Sequence, residues 1–293
     1  MKLHTGFVAI TGKPNVGKST LINTLFKKKI AITSYKPQTT RNQIIDTYSD
    51  HTSSITFIDT PGYHDAHNKL DMFLNSEIKS SYKVADVVML LIDLTRKIDE
   101  EDLQVIKIIK SYEVKKVLLV LTKSDLNQKN IEPYKEEIKK LIDYDGVVVI
   151  SSKTNTNLDE MLIQIKKMIP LTETVLSNIA TSDNDDFIIK EIVREQVIFH
   201  TKKEVPYATA IVIQEKTYNE GLLTIMADIV VERDSQKPII IGAKGSMIKK
   251  IGTFARKELL EIFDCKINLK LFVKTVPDWR NNPTFLKENG YLK

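Results

Sequence analysis

Residues Gly12–Thr20 read GKPNVGKST and directly follow the apolar run Phe7, Val8, Ala9, Ile10. Gly12 and Gly17 enclose Lys13, Pro14, Asn15 and Val16 and are followed by Lys18, Ser19 and Thr20, the pattern of a phosphate-binding loop. Glycine lets the backbone curl until successive N–H groups converge on phosphate oxygens. Lys18 then reaches the outer phosphates and Ser19 offers a hydroxyl to Mg²⁺. Leu21, Ile22 and Leu25 have the spacing of a helix whose positive end faces the nucleotide. The loop alone leaves open a Gly-rich strand-to-helix turn that binds nothing, so the rest of the chain has to decide.

A chain of 293 residues favours two domains over one. No apolar run approaches membrane-spanning length, and Met1–Thr11 enters the first strand without a charged-then-apolar leader, so a cytoplasmic protein is expected. A single cysteine, Cys265, and five scattered histidines exclude an internal disulfide and argue against a Cys/His zinc site. Any metal is therefore expected to be held by oxygen. A net charge of +5 is compatible with an anionic partner without requiring one.

Strand patterns at 55–59, 87–93, 117–122 and 147–151 alternate with helical patterns at 71–82, 100–111, 132–142 and 158–169. That alternation predicts an α/β fold, a mostly parallel six-stranded sheet covered by helices. The polar, acidic stretch SNIATSDNDD marks a boundary, giving domains over 1–172 and 186–293 joined by a linker over 173–185.

Four segments turn a generic phosphate loop into a guanine-specific one. DTPG, Asp59, Thr60, Pro61 and Gly62, ends an apolar strand, placing the Asp59 carboxylate near Mg²⁺, through water, and the Gly62 N–H near a γ-phosphate. TKSD, Thr122, Lys123, Ser124 and Asp125, ends another, and the Asp125 carboxylate can accept both N1–H and the N2 amine of guanine. Adenine presents an acceptor at N1, a mismatch costing on the order of a few kcal/mol. SSK, Ser151, Ser152 and Lys153, ends the next strand, where backbone N–H groups can meet guanine O6. In QTTR, residues 38–41, Thr40 is the expected γ-phosphate-sensing Mg²⁺ ligand. Singly, DTPG is a good turn and SSK a plausible helix cap. Together, at successive strand ends, they sit where such sheets bind ligands.

With these motifs the chain resembles the Era-like GTPases. The resemblance implies a GTP/GDP- and Mg²⁺-dependent enzyme of slow intrinsic rate, with Lys18, Thr40, Gly62 and Asn15 in the catalytic machinery. Two positions depart from the general GTPase pattern. Thr122 stands where most guanine-binding motifs carry asparagine, so weakened affinity with retained specificity is expected. Tyr63 follows DTPG where Ras-like enzymes place a water-orienting glutamine. Asn15 offers a substitute, because relatives with asparagine here can use K⁺ as the charge that an arginine finger would supply; the alternative is a simple turn cap.

In the second domain, Phe187–His200 is expected to be an amphipathic helix, and 208–214 and 222–231 a strand pair turning at Asn219, Glu220 and Gly221. A strand through Ile241 then leads into Gly242, Ala243, Lys244 and Gly245, a GxxG loop, followed by a helix over 247–263 and a strand over 266–273. This is the layout of a KH domain of the prokaryotic type, with Ile241 and Ile248 as groove walls and Lys244, Lys249 and Lys250 around the loop as RNA-binding candidates, the alternative for the lysines being an ordinary solvated helix face. A lone GxxG can also be a two-glycine helix cap. Trp279 and Tyr291 either stack on bases or pin the tail. The resemblance further implies binding to the 3′ end of small-subunit ribosomal RNA and the 30S subunit, a role in 30S assembly, a monomer, and a weak peripheral contact with the inner face of the cell membrane. One rival is a signalling GTPase whose C-terminal domain docks a protein or membrane, with Lys27–Lys29 on acidic headgroups. Another is a transfer-RNA-modifying GTPase, for which Cys265 lacks a catalytic setting.

Overall fold

The structure, a computed structural model, describes residues 2–27, 44–60, 66–126, 131–172, 185–202 and 204–291. The expectations placed on Thr40, Pro61, Gly62, Tyr63, Lys28 and Lys29 lie outside the described residues. The chain divides into two compact units, Met1–His67 with Asp71–Ser182, and Asn68–Leu70 with Asp183–Lys293.

The first unit runs β1 (Leu3–Thr11), α1 (Lys18–Phe26), β2 (Ile44–Ser49), β3 (Ser53–Asp59), α2 (Lys69–Val84), β4 (Val87–Asp93), α3 (Glu100–Ser111), β5 (Val117–Thr122), α4 (Glu132–Leu141), β6 (Gly146–Val149), α5 (Leu158–Met168) and a two-residue β7 (Leu171–Thr172). Six strands lie in the order β2-β3-β1-β4-β5-β6, and β7 is a short seventh that pairs β1 off this path. Only β2 and β7 are antiparallel to their neighbours. β3, β4 and β5 are buried along their whole length, which is why they read as continuous apolar runs rather than alternating ones. Strand order reverses at β1, so β1, β3, β4 and β5 open a crevice at their carboxyl ends.

β6 ends at Val149, short of the expected Ser151, which instead bridges Thr156 across a tight turn. The turn exists because Asn155 and Asn157 both adopt left-handed backbone, with φ of 56° at each. Consequently SSK occupies a folded loop before α5 rather than a strand end.

The second unit runs α6 (Asp185–His200), β8 (Ala210–Asn219), β9 (Leu222–Val231), α7 (Lys237–Ile241), α8 (Ser246–Phe263), β10 (Lys266–Thr275) and α9 (Pro283–Glu288). Its sheet has the order β10-β9-β8, antiparallel between β8 and β9 and parallel between β9 and β10. Glu220 and Gly221 turn the hairpin with φ of 47° and 77°, the two positive values that a tight type I′ connection needs. Ile189, Ile192, Val193 and Val197 of α6 join Ile225, Ala227 and Ile229 of β9 and Ile251, Ala255 and Leu259 of α8 in one core.

Two expectations fail here. Ala208 belongs to a 3₁₀ turn, Val205–Ala208, so β8 begins at Ala210. The strand expected through Ile241 is the short helix α7. Three consecutive isoleucines look like a strand by propensity, but Pro238 in the first turn favours a helix start, and only Ile240 is buried while Ile239 and Ile241 face solvent. The GxxG segment therefore links two helices. Trp279 pins the tail: it is fully buried, its Nε1 donates to the Ala208 carbonyl at 3.1 Å, and it packs on Phe285 and Tyr291.

Candidate nucleotide site and nucleic-acid groove

Between β1 and α1 the chain adopts three positive φ values, 152° at Gly12, 64° at Asn15 and 105° at Gly17. A Cβ on Gly12 would come within 2.7 Å of the Leu91 carbonyl oxygen, so glycine is required there by space as well as by backbone. No side chain caps α1, and its first-turn N–H groups are those that an anion would use.

Lys18 is buried beneath this loop, and its Nζ donates to the carbonyls of Gly12 at 2.7 Å and Lys13 at 2.9 Å. Burial lowers its pKa from 10.5 to about 8, with the charge of Asp59 pulling the other way. Asp59, fully buried, ends β3, and Thr60 is tied to the Ile10 carbonyl by its hydroxyl at 2.8 Å. The oxygen donors Ser19 and Asp59 suit a hard cation such as Mg²⁺. Among the described residues no group of three or more His, Cys, Asp or Glu could hold a metal by itself.

Two of the remaining loop residues are held from outside. Val16 is buried, and its carbonyl accepts the Thr122 hydroxyl at 2.7 Å; the same hydroxyl lies 3.2 Å from the Ile92 carbonyl. The short side chain that replaces asparagine thus still ties β5 to the phosphate loop. Lys13, expected to serve the nucleotide, sends its side chain the other way, into contact with Asp99 and Asp102 at the start of α3.

The segment that follows β5 and the loop before α5 come together at Asp125. Asp125 is exposed, and its Oδ1 accepts the hydroxyl of fully buried Ser151 at 2.7 Å. Ser124 N–H donates to the Ile150 carbonyl, and Thr24 of α1 donates to the Ser152 carbonyl at 3.2 Å. Lys123 pairs with Asp93 at 2.6 Å. Burial works to raise the Asp93 pKa, but the bonds from Lys123 and Thr95 outweigh it and hold that carboxyl below its ordinary range. Ser151 was expected to present its backbone; its hydroxyl orienting Asp125 was not foreseen. Asp93 was also missed, although it ends the apolar run of β4 as Asp59 ends that of β3.

In the second unit Gly242, Lys244 and Gly245 have φ of 73°, 51° and 78°, and a Cβ on Gly242 would fall 2.6 Å from the Met247 Cβ. Ala243, Lys244, Lys249 and Lys250 are exposed. A groove of about 500 Å³ runs between α8 and β10. Ile248 and Lys249 line it, whereas Ile241 and Lys250 do not; Thr253, Arg256, Leu269 and Leu271 also do. The α8 members follow from Ile248 by helical spacing, so periodicity could have found them.

A phosphate loop, a carboxylate set at the next strand end but one, and a separate helix–GxxG–helix unit on a three-stranded sheet define a P-loop GTPase with a C-terminal KH domain. The family model described as 50S ribosome-binding GTPase matches residues 7–123, and the KH domain model matches residues 204–280. The chain is 43% identical to GTPase Era of Ureaplasma parvum, covering 98% of this chain and 97% of that one. It is 40% identical to GTPase Era of Geobacter metallireducens, covering 98% of each. The chain belongs to the GTPase Era family. Its structure is similar to that of Era in complex with MgGDPNP and nucleotides 1506–1542 of 16S ribosomal RNA, with a TM-score of 0.93 and 36% identity over 99% of this chain and 100% of that one. It is equally similar to an Aquifex aeolicus Era variant bound to GDP·AlF4⁻, with a TM-score of 0.92, 36% identity and complete coverage of both.

Two outcomes follow from the loop geometry. Thr122→Val removes the hydroxyl and leaves the buried Val16 carbonyl without that donor, which is expected to weaken GDP binding about tenfold, from about 1–2 kcal/mol, in a fluorescence titration. Because phosphates favour the protonated form of Lys18, binding raises its pKa and takes up a proton. GDP affinity should therefore hold below pH 7 and fall about tenfold between pH 7 and pH 9; a flat profile contradicts the assignment.

Proposed function

We propose that this chain is a GTP-hydrolysing, RNA-binding switch that engages the 3′ end of small-subunit ribosomal RNA and acts in 30S subunit assembly. The observation that carries the guanine part is the Asp125 carboxylate, set at the end of β5 by the Ser151 hydroxyl while the same strand grips the phosphate loop through Thr122. One side of the carboxylate is thereby fixed and the other left to accept the two donors on the guanine edge. Residues 1–172 form the nucleotide domain in this reading and 186–293 the RNA domain.

Lys18 places its ammonium against the outer phosphates when nucleotide displaces the Gly12 and Lys13 carbonyls as its partners. Ser19, Thr40 and Asp59 would hold Mg²⁺, which would supply charge neutralisation on the phosphates. Gly62 N–H meets the γ-phosphate. With Tyr63 in place of a water-orienting glutamine, intrinsic hydrolysis is slow, and Asn15 is offered as a K⁺ ligand. Its position in the phosphate loop, at a bend with φ of 64°, supports that role. Hydrolysis should be several-fold faster in KCl than in NaCl, and Asn15→Ala should abolish the difference; equal rates in both salts defeat the K⁺ reading.

The RNA part is supported by the GxxG bend, whose glycines admit a close backbone approach, and by the groove that Arg256 and Lys249 edge and Leu269 and Leu271 floor. Relief of the γ-phosphate contacts would alter the RNA domain through the linker over 173–185. Linkage makes that coupling reciprocal. A 3′-terminal small-subunit RNA fragment is therefore expected to change GTP affinity at least fivefold, while Lys244→Glu weakens RNA binding and leaves GTP affinity in the absence of RNA intact. Unchanged GTP affinity on saturation with RNA rules out thermodynamic coupling. This reading assigns the protein to the cytoplasm. No described helix is long and apolar enough to cross a membrane.

A further inference from the structure

Lys13 belongs to the phosphate loop by sequence, yet its ammonium is spent on α3. Its side chain is 2% exposed, with Nζ 2.7 Å from Asp99 Oδ2 and 2.6 Å from Asp102 Oδ2. Asp102 is equally buried, Asp99 half exposed. A buried ammonium and a buried carboxylate, with a second carboxylate half exposed, gain little for stability, since apolar side chains of the same volume often do as well. What such a cluster does supply is a fixed geometry.

Its partners are themselves tied into the start of α3. Asp99 caps α3, its Oδ1 accepting the N–H groups of Glu101 and Asp102, while Asp102 Oδ2 accepts the Asp99 N–H at 3.2 Å. The other Asp102 oxygen is buried without a hydrogen-bond partner among the described residues, so Lys13 is the charge that justifies this carboxylate. Burial pushes the Asp102 carboxyl above its ordinary range, with the Lys13 ammonium pulling it down. The carbonyl of Lys13, on the opposite side of the same residue, accepts the Lys18 ammonium at 2.9 Å.

We propose that Asp99, Asp102 and Lys13 form a positioning device that fixes the phosphate loop from the α3 side and so presets Lys18 for the phosphates. The inference rests on the guanine-nucleotide reading above. It makes the start of α3 a determinant of nucleotide affinity, although α3 contributes no residue to the phosphate-loop, base-reading or DTPG motifs.

The test titrates a fluorescent GDP analogue into the full chain carrying Lys13→Met, Asp102→Asn or both, with thermal stability measured alongside. Each single change is expected to lower affinity at least tenfold. The double variant should be no weaker than the weaker single, because both remove the same contact. Lys13→Arg, which keeps the cation, should return affinity to within threefold of the unsubstituted chain. Affinities that stay level while melting temperatures fall, or losses that simply add, overturn the proposal. If the buried changes prevent folding, Asp99→Asn keeps a competent helix cap and removes one partner of Lys13. A loss of about threefold is then expected, and no loss overturns it. Failure of the unsubstituted chain to bind GDP would strike instead at the proposed function.

Discussion

A buried ammonium with no carboxylate at contact distance among the described residues is an expensive object, and Lys18 is one. It sits beneath the phosphate loop with two backbone carbonyls as hydrogen-bond partners and the charge of Asp59 acting on it from the end of β3. Carbonyl oxygens satisfy its donors but not its charge, so its proton is held weakly. An anionic ligand would offset that deficit. The sheet exists, in functional terms, to keep this charge where water cannot relieve it.

Holding Lys18 there requires a loop of fixed shape, and the loop cannot fix itself. Its bends at Gly12, Asn15 and Gly17 all lie in left-handed or otherwise glycine-favouring backbone. The constraint comes from neighbours. Leu91 of β4 packs so closely on Gly12 that no side chain fits, Thr122 of β5 holds the Val16 carbonyl, and α3 holds Lys13. Each support comes from a different element after β3, so the loop's geometry depends on tertiary structure completed far along the chain.

That dependence explains what could be read beforehand. β4, β5 and α3 match their expected ranges residue for residue, because strands buried on both faces are unbroken apolar runs and α3 opens on an acidic capping box. The glycines and Asp59 carry local chemistry and are equally legible, whereas Asp93, at the end of β4, belongs to no motif and shows its part only through its contact with Lys123. The direction of the Lys13 side chain was not, since nothing in GKPNVGKS tells whether a lysine meets a phosphate or a distant carboxylate. α7 was misread for a related reason. Local β-propensity at Ile239–Ile241 was overridden by Pro238 and by a core with room for only one of the three side chains. Ser151 shows the limit from the other side: its position in a motif was visible, but its hydroxyl's aim at Asp125 depends on the turn made by Asn155 and Asn157.

Thr122 brings these strands of argument together. An asparagine there has an amide able to serve more than one neighbour, whereas a threonine hydroxyl has a single proton to donate. In this chain that proton goes to Val16, with the Ile92 carbonyl as the weaker second acceptor. The loop support is therefore kept. Asp125 in turn is oriented by the Ser151 hydroxyl, which comes from outside its own motif. The phosphate loop is thereby tied to β5 and α3, and Asp125 to the loop before α5.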